Sequence, residues 1–299
     1  MNGPIGRFAW IQLISNNQYQ SMALDQRLRE LKVEPKRGII YDKNGVELAV
    51  SASADTVVAI PKEIKDPDKT AEQLANILEM PQDKIYQRLT KDAAAIYIDR
   101  KVGEEKARQI RKLDLAGITF TEESKRFYPK GVLASHVLGF AGIDSQGLQG
   151  IELVYDNRLR GNPGRIFIES DAVGRKIPEG IEDYMAPDDG NNIYLTIDNV
   201  LQYIAERELD KVMVEHEAKA ATIMMMNPKT GEVLALANRP SYDPNNFSDY
   251  EPKLWRNRAV SDIYEPGSTF KIITTAAGLE EGVVHPNDRF FDPGHIEVA

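Results

Sequence analysis

The sequence predicts an α+β protein with two domains, and three features of its 299 residues support that fold class. Between Arg37 and Glu169, strand-like and helix-like segments alternate without a phosphate-binding loop, which is typical of a mixed α+β domain. The stretch Met185–Asn192 is polar, acidic and rich in chain breakers, as linkers are. After it, a strand, an amphipathic helix and an apolar hairpin predict a second sheet that is covered by helices.

Residues 1–34 are predicted to form an N-terminal arm with one helix. Leu24, Leu28 and Leu31 fall at positions i, i+4 and i+7 of a charged segment, so we expect a helix over residues 17–33. The apolar run Phe8–Ile14 is far shorter than the about 20 residues that a bilayer span needs. This run is interpreted as the end of a longer apolar segment or as a short amphipathic helix.

Residues 35–186 are predicted to form the first domain. Asp42-Lys43-Asn44-Gly45 separates two strand-like runs, and Asn-Gly is a strong hairpin signal. The other predicted elements are a strand over 56–61, helical patterns over 68–114 that include 70–78 and 82–89, a strand over 117–121, a helix over 134–141, a short helix over 150–156 and a strand over 164–169. The charged residues of this domain show no catalytic grouping, and we interpret them as solvent-exposed faces.

Residues 190–299 are predicted to form the second domain. Its first strand covers 194–197, and Asp198 is expected to cap a helix that runs to about His216. Two short apolar runs, 221–226 and 232–237, predict a β-hairpin whose strands are buried on both faces. The methionines at positions 224–226 are therefore expected in the core.

Composition excludes several classes of function. The net charge of −9 argues against a nucleic-acid-binding protein, which would carry a basic surface. The chain has no cysteine, so a disulfide framework, a cysteine-ligated metal and a cysteine nucleophile are excluded. The four histidines have no paired-ligand spacing and are expected to be structural or on the surface. Neither a metal nor a cofactor is predicted.

The candidate catalytic residues are Ser268 and Lys271. They follow Pro266-Gly267 at the predicted start of a helix, where two side chains three positions apart share a face. A serine becomes a nucleophile when a base takes its proton, and a buried lysine at a helix N-terminus can be that base. Burial and the helix dipole both disfavour the ammonium form. The apolar run 272–279 predicts a buried helix, and the Ser268 N–H could donate to an oxyanion.

Two tripeptides resemble further catalytic motifs but occur in unsuitable places. Lys229-Thr230-Gly231 lies before the serine, between the two predicted hairpin strands, and is interpreted as a turn. Ser15-Asn16-Asn17 lies in the N-terminal arm and is interpreted as a coincidence. A lone Ser-x-x-Lys is itself a weak signal.

Four patches together resemble the class B penicillin-binding proteins, which are peptidoglycan D,D-transpeptidases of the division or sporulation type. The match covers nearly the whole chain. The patches are Arg37-Gly38-Ile39-Ile40-Tyr41-Asp42-Lys43-Asn44-Gly45; Arg126-Phe127-Tyr128-Pro129 with Gly139 and Gly150-Ile151-Glu152; Asn227-Pro228-Lys229-Thr230-Gly231-Glu232-Val233-Leu234-Ala235 with Asp243-Pro244-Asn245; and Asn257-Arg258-Ala259 through Glu265-Pro266-Gly267-Ser268-Thr269-Phe270-Lys271.

The resemblance implies a mixed pedestal domain, also called the dimerisation domain, followed by a penicillin-binding/β-lactamase-like transpeptidase domain. Ser268 would be the nucleophile and Lys271 its general base. The substrates would be peptidoglycan stem peptides, and β-lactams would acylate the same serine. Other cell-wall synthesis or division proteins would bind the pedestal, and an N-terminal anchor would hold the protein on the extracytoplasmic face of a bacterial membrane.

The C-terminal part departs from the family pattern. Members carry a Ser-x-Asn and a Lys-Thr-Gly after the nucleophile, and neither occurs in the 28 residues that follow Lys271. We therefore expect residues 190–299 to be an incomplete transpeptidase domain, residues 6–12 to be the end of the membrane anchor, and this chain alone to be inactive. Two alternative functions are a β-lactam sensor or class D-like β-lactamase, and a non-catalytic scaffold for cell-wall assembly.

Overall fold

The computed structural model describes residues 28–169 and 182–294. The chain divides into two units, residues 1–259 and residues 260–299. Most of the secondary structure lies in the first unit. The second unit contains the predicted nucleophile motif and is described by itself.

The first unit has ten strands and seven α-helices within the described residues. In chain order these are β1 (Leu28–Val33), β2 (Ile40–Tyr41), β3 (Glu47–Ala59), α1 (Pro67–Leu78), α2 (Gln82–Leu89), β4 (Ile96–Val102), α3 (Glu104–Lys112), β5 (Ile118–Phe127), α4 (Ser135–Leu138), α5 (Gly150–Val154), α6 (Asp156–Leu159), β6 (Gly164–Glu169), β7 (Glu182–Met185), β8 (Ile193–Tyr194), α7 (Asn199–Glu215), β9 (Ala221–Met226) and β10 (Val233–Arg239). A further short helix, α8 (Arg258–Ser261), spans residues of both units, and the mixture of helices and strands confirms the α+β class.

The strands form three sheets. The largest has the order β4-β3-β2-β8, with β5 also paired to β3, and the others are β1-β6-β7 and the hairpin β9-β10. All pairs are antiparallel except β2 with β8, where Ile40 is opposite Ile193. The parallel pair brings the start of the predicted second domain against the first hairpin of the pedestal.

Strands β3 and β5 connect two hydrophobic cores. The distal core lies between the outer half of these strands and helices α1–α3; its fully buried members include Val57, Leu74, Ile85, Ile98 and Ile110. The proximal core combines residues of the predicted first domain with residues of the predicted second domain; its members include Ile40, Leu48, Leu138, Phe140 and Tyr242. Between the cores, β3 and β5 form a two-stranded ribbon whose side chains are mostly exposed or half-buried.

Helix α7 packs on one face of the β9-β10 hairpin and forms a third, smaller core with it. Ala205 and Leu209 of the helix are buried against Ala235 and Ala237 of β10. Asp198 caps this helix, as predicted, because its carboxylate accepts hydrogen bonds from the Val200 and Leu201 N–H groups. Helix α7 therefore meets the hairpin along one face, through two apolar side chains near its centre.

Several predicted elements are confirmed and others are wrong. The first hairpin, the helices over 70–78 and 82–89, the strand after Gly117, the helix from Gly150 and the strand over 164–169 are present. Residues 96–102, predicted within a helical region, form strand β4. The helix predicted over 134–141 contains only the four residues of α4.

The helix predicted over 17–33 is wrong where the chain is described, because residues 28–33 form strand β1. They pair along their whole length with β6, and this pairing overrides the helical spacing of the leucines. Residues 17–27, the apolar run 8–14 and Ser15-Asn16-Asn17 lie outside the described residues.

The predicted burial of the hairpin is wrong for its first strand. Met224, Met225 and Met226 are 43%, 37% and 53% exposed, whereas Ala235–Arg239 of β10 are buried. Ala221 and Ile223 of β9 pack against the core that α7 forms with the hairpin, whereas β10 is buried on both faces, as predicted for that strand.

Candidate active site

The predicted nucleophile and base lie where a 3₁₀ turn joins an α-helix. Gly267–Phe270 form the 3₁₀ turn and Lys271–Glu280 form helix α9. Gly267 has φ = +56°, a left-handed conformation that glycine adopts without steric cost, and it directs the chain sharply into the turn. The Lys271 N–H donates a hydrogen bond to the Ser268 carbonyl, so the two residues lie at the two ends of one helical turn.

The site is open to solvent in the described part of the second unit. Ser268 and Lys271 are exposed, and so are the apolar side chains that follow, with Ile272 at 74% and Ile273 at 60%. The prediction of a buried helix is therefore wrong within residues 260–294, because none of these residues covers it. Thr269 bonds through its hydroxyl to the Pro266 carbonyl and Thr274 to the Phe270 carbonyl, so local contacts hold the turn.

Lys229-Thr230-Gly231 forms the turn between β9 and β10, as predicted. Asn227 accepts a hydrogen bond from the Lys229 N–H through its side chain and one from the Gly231 N–H through its carbonyl. Gly231 has φ = +77°, and Thr230 bonds to Glu232. These contacts belong to a reverse turn, and no catalytic role follows from this tripeptide.

The pedestal contains a buried charge cluster around Glu152, which is fully buried. Its carboxylate accepts a 2.7 Å hydrogen bond from Arg37 Nε and a 2.6 Å hydrogen bond from Arg126 Nε. The Tyr128 hydroxyl also donates to it at 3.3 Å, and Arg37 pairs with Asp156 at 2.6 Å. The interpretation of these charged residues as solvent-exposed faces is wrong.

The cluster is closed by backbone contacts. Arg37 also donates to the carbonyls of Ser145 and Glu152, and Arg126 donates to the Gly38 carbonyl. Burial and the neighbouring Glu152 carboxylate raise the pKa of Tyr128 well above its ordinary value, so its hydroxyl remains a donor. One nitrogen of Arg126, Nη2, is buried without a partner among the described residues.

A second buried carboxylate, Asp42, joins the pedestal hairpin to helix α7. One oxygen accepts the N–H groups of Asn44 and Val46, both at 2.8 Å. The other accepts the Asn199 side chain at 2.7 Å and the Asn199 N–H at 3.2 Å, across 157 positions of sequence. Burial alone would raise the pKa of Asp42, but the hydrogen bond from Asn199 and those from the backbone lower it below its usual 3.8.

The four N–H groups at the start of α7 are therefore all satisfied. Asp42 accepts a hydrogen bond from the Asn199 N–H, and the Asp198 carboxylate accepts those of the next two residues. The Asp198 carbonyl accepts the fourth, from the Gln202 N–H. Two carboxylates at a helix N-terminus also suit the positive end of the helix dipole. Lys43 pairs with Asp198 at 3.2 Å and thereby neutralises part of their charge.

From this cap, buried polar contacts continue to β10. The Gln202 side chain donates a hydrogen bond to the Leu236 carbonyl at 2.9 Å and accepts one from the Leu236 N–H at 2.7 Å. Its amide group thus makes the same pair of hydrogen bonds to β10 that the backbone of a neighbouring strand would make. Glu206 accepts the Ala134 N–H of the pedestal at 2.8 Å. Arg239, at the end of β10, bonds Asp210 at 2.6 Å and lowers the pKa of that carboxyl.

An aromatic group completes the junction between the predicted domains. Phe140 stacks on Phe247 with ring centroids 4.0 Å apart and meets Trp255 edge-on at 5.0 Å. His136 bonds the Leu254 carbonyl at 2.9 Å and packs edge-on against Tyr242. Burial lowers the pKa of His136 to about 4, so the ring is neutral at pH 7 and has the structural role predicted for it.

The catalytic assignment of Ser268 and Lys271 stays a prediction, and sequence reasoning missed the buried cluster around Glu152. Arg37 comes from the first patch and Arg126 and Glu152 from the second, and their side chains meet across 115 and 26 positions of sequence. The available signal was that each residue lies in a patch that carries the family resemblance. Within residues 28–169 and 182–294, no group of acidic and histidine side chains is placed to hold a metal ion, and no helix has the length and apolar character of a membrane span.

Two family models match the chain. Residues 32–195 match the penicillin-binding protein dimerisation domain, and residues 221–298 match the penicillin-binding protein transpeptidase domain. Among solved structures, penicillin-binding protein 2X from Streptococcus thermophilus superposes with a TM-score of 0.60 at 28% identity, covering 91% of this chain and 44% of that one. A peptidoglycan synthetase from Bifidobacterium adolescentis has a TM-score of 0.64 at 24% identity, with 91% and 55% covered, and supports the fold.

Sequence relatives are of the same kind. Stage V sporulation protein D of Bacillus subtilis is 44% identical over 98% of this chain and 46% of its own length. The peptidoglycan D,D-transpeptidase FtsI of Escherichia coli K12 is 38% identical over 95% of this chain and 49% of its own length. The probable peptidoglycan D,D-transpeptidase PenA of Neisseria gonorrhoeae is 34% identical, with 95% and 50% covered.

The chain belongs to the class B penicillin-binding proteins. It spans about half the length of the curated relatives it matches.

Proposed function

We propose that this chain is the pedestal and the first part of the catalytic domain of a peptidoglycan D,D-transpeptidase. The observation that carries the proposal is the Gly267-led turn, in which Ser268 and Lys271 occupy one turn at the start of a helix. The names of the relatives, two of them peptidoglycan D,D-transpeptidases, support the same reaction.

In the proposed reaction, Ser268 Oγ attacks the carbonyl of the penultimate D-alanine of a stem peptide and gives its proton to the Lys271 amine. The peptide bond to the terminal D-alanine breaks, and that D-alanine leaves with the proton. An amine of a neighbouring stem then attacks the acyl-serine, which forms the cross-link and restores the hydroxyl. A β-lactam would acylate the same oxygen.

The proposal includes partners, location and boundaries. Residues 35–186 would be the pedestal and residues 190–299 the transpeptidase part, with the pedestal binding other cell-wall synthesis or division proteins. The protein would act on the extracytoplasmic face of a bacterial membrane, held there by an N-terminal anchor. The relatives, a stage V sporulation protein and a peptidoglycan D,D-transpeptidase by name, support this location.

The test is acylation of the native protein. Membranes of cells that produce it are treated with a fluorescent penicillin, and the labelled peptide is sequenced by mass spectrometry. We expect the adduct on Ser268 and its loss in a Ser268→Ala variant that is produced at the same level. An adduct on another residue, or labelling that survives in the variant, would refute the assignment.

A further inference from the structure

Two left-handed residues that are not glycine face each other between the distal and proximal cores. Lys101 in β4 has φ = +55° and Ser145 in the loop after Ala141 has φ = +59°. The Lys101 amine donates to the Ser145 hydroxyl at 3.4 Å. Residues with a Cβ are disfavoured in this conformation, and such residues cluster where the surrounding structure imposes it for a function.

On the β4 side, the conformation belongs to a β-bulge. Asp55 of β3 is opposite Val102 and Val57 is opposite Asp99, so both Arg100 and Lys101 are opposite Thr56. The Thr56 hydroxyl accepts a hydrogen bond from the Lys101 N–H at 3.1 Å. The side chain of Thr56 thereby replaces the backbone partner that this N–H would have in a regular β3-β4 pairing. A bulge changes the direction of side chains, and here it brings two consecutive basic residues to one loop.

On the other side, residues 141–147 form a tight hairpin that is fixed to the proximal core. Ala141 and Gly147 form an isolated bridge, and the Ser145 N–H bonds the Gly142 carbonyl at 3.0 Å. Arg37 of the buried cluster holds the Ser145 carbonyl at 2.9 Å, and Asp156 holds the Gly147 N–H at 2.7 Å. The hairpin is thus an extension of the Glu152 cluster toward the distal core.

Two side-chain contacts join the bulge to the hairpin. Arg100 pairs with Asp144 at 2.7 Å while its other nitrogens hold Glu123 of β5, and Lys101 holds Ser145. Burial lowers the pKa of Lys101, and the nearby Glu123 carboxylate only partly offsets this effect. The surroundings of the amine therefore disfavour its charged form. The alternative connection between the cores is the exposed β3-β5 ribbon, and isolated two-stranded ribbons are only marginally stable.

We propose that Arg100, Lys101 and the 141–147 hairpin form a latch that sets the orientation of the distal core relative to the proximal core. When the latch is closed, the ribbon is braced at its side and the pedestal presents one fixed surface. When the latch opens, both left-handed residues relax to ordinary backbone conformations and the distal core moves about the ribbon.

The absence of cysteine allows a direct test, because two introduced cysteines can be spin-labelled specifically. Lys84→Cys on α2 and Asn157→Cys on α6 place exposed labels on the distal and proximal sides. In Asp144→Ala/Ser145→Ala, we expect the distance distribution between the labels to be at least twice as wide as in the parent. The matched control is Glu79→Ala. Glu79 is also a left-handed residue, and its exposed ion pair with Lys106 lies entirely on the distal side.

A second variant separates orientation from stability. Lys101→Gly accepts the left-handed backbone without strain but cannot reach Ser145, so the distribution should widen while the thermal midpoint is not lowered. A contact that only contributes to stability would lower the midpoint together with any widening. An unchanged distribution in both latch variants, with circular dichroism showing folded protein, would overturn the proposal, as would equal widening in Glu79→Ala.

Discussion

Replacing Glu152 by glutamine tests whether the buried charge cluster holds the pedestal together. The substitution keeps the shape of the side chain but leaves the buried Arg37 and Arg126 without their shared counter-ion. The new amide N–H₂ would face one of the two Nε donors. Breaking a buried ion pair in this way costs about 3–5 kcal/mol. With an m-value of about 3 kcal/mol per molar urea, the unfolding midpoint should fall by about 1–2 M.

The measurement is urea unfolding followed by the fluorescence of Trp255, in a Trp10→Phe background that removes the other tryptophan. Trp255 packs against the proximal core and therefore reports on its loss. The matched control is Glu122→Gln, an exposed glutamate that accepts one hydrogen bond from Ser53. It should change the free energy of unfolding by no more than about 0.5 kcal/mol. If Glu152→Gln and Glu122→Gln agree within about 1 kcal/mol, the cluster does not stabilise the pedestal as argued.

The remaining four predictions concern other sites in the chain. Asp42→Asn should destabilise the chain by about 2 kcal/mol because it sets a donor against the Asn199 amide, and Asp42→Asn/Asn199→Asp should recover part of this in thermal unfolding; no recovery would exclude the direct contact. The free energy of unfolding should decrease by up to about 3 kcal/mol as the pH falls from about 6.5 to 4. In this range His136 is protonated in the unfolded chain, whereas burial keeps the folded ring neutral down to its pKa of about 4. A His136→Gln variant with the same pH slope would contradict this. Gly139→Ala should prevent folding as judged by circular dichroism, because a Cβ there would lie 1.9 Å from the Gln149 carbonyl oxygen at a φ of +72°; a variant with parental stability would refute the geometry. The isolated 299-residue chain should not react with fluorescent penicillin, because Ser268 and Lys271 are open to solvent in the described part of the second unit; labelling that Ser268→Ala abolishes would show otherwise.

Sequence patterns predicted the elements whose signals are local. Asp198 followed by a helical apolar face predicted α7 and its cap, and Asn44-Gly45 predicted the first hairpin. Strand β4 was missed because its charged residues 99–101 hide the alternation, and because the bulge at Arg100 and Lys101 interrupts the period of two. β1 was assigned to a helix since its partner strand begins more than a hundred positions later.

The same distinction applies to the candidate site. Ser268 and Lys271 are three positions apart, so their motif could be found without knowing the fold. Glu152 meets Arg37 across 115 positions, and a spacing of that length carries no periodic signal. Burial of the helix after Lys271 was predicted from its apolar residues, but burial depends on a covering segment, which hydropathy alone does not supply.

The cap of α7 has a consequence for synthesis on the ribosome. Asp42 is made 157 residues before the Asn199 that it binds. At about 5–20 residues per second, roughly 8–30 s pass before Asn199 is synthesised. During that interval the Asp42 carboxylate can accept hydrogen bonds only from the nearby Asn44 and Val46 N–H groups of its own hairpin. Translation speed between these two points therefore sets how long an unfilled acceptor is available to other nascent chains or to chaperones.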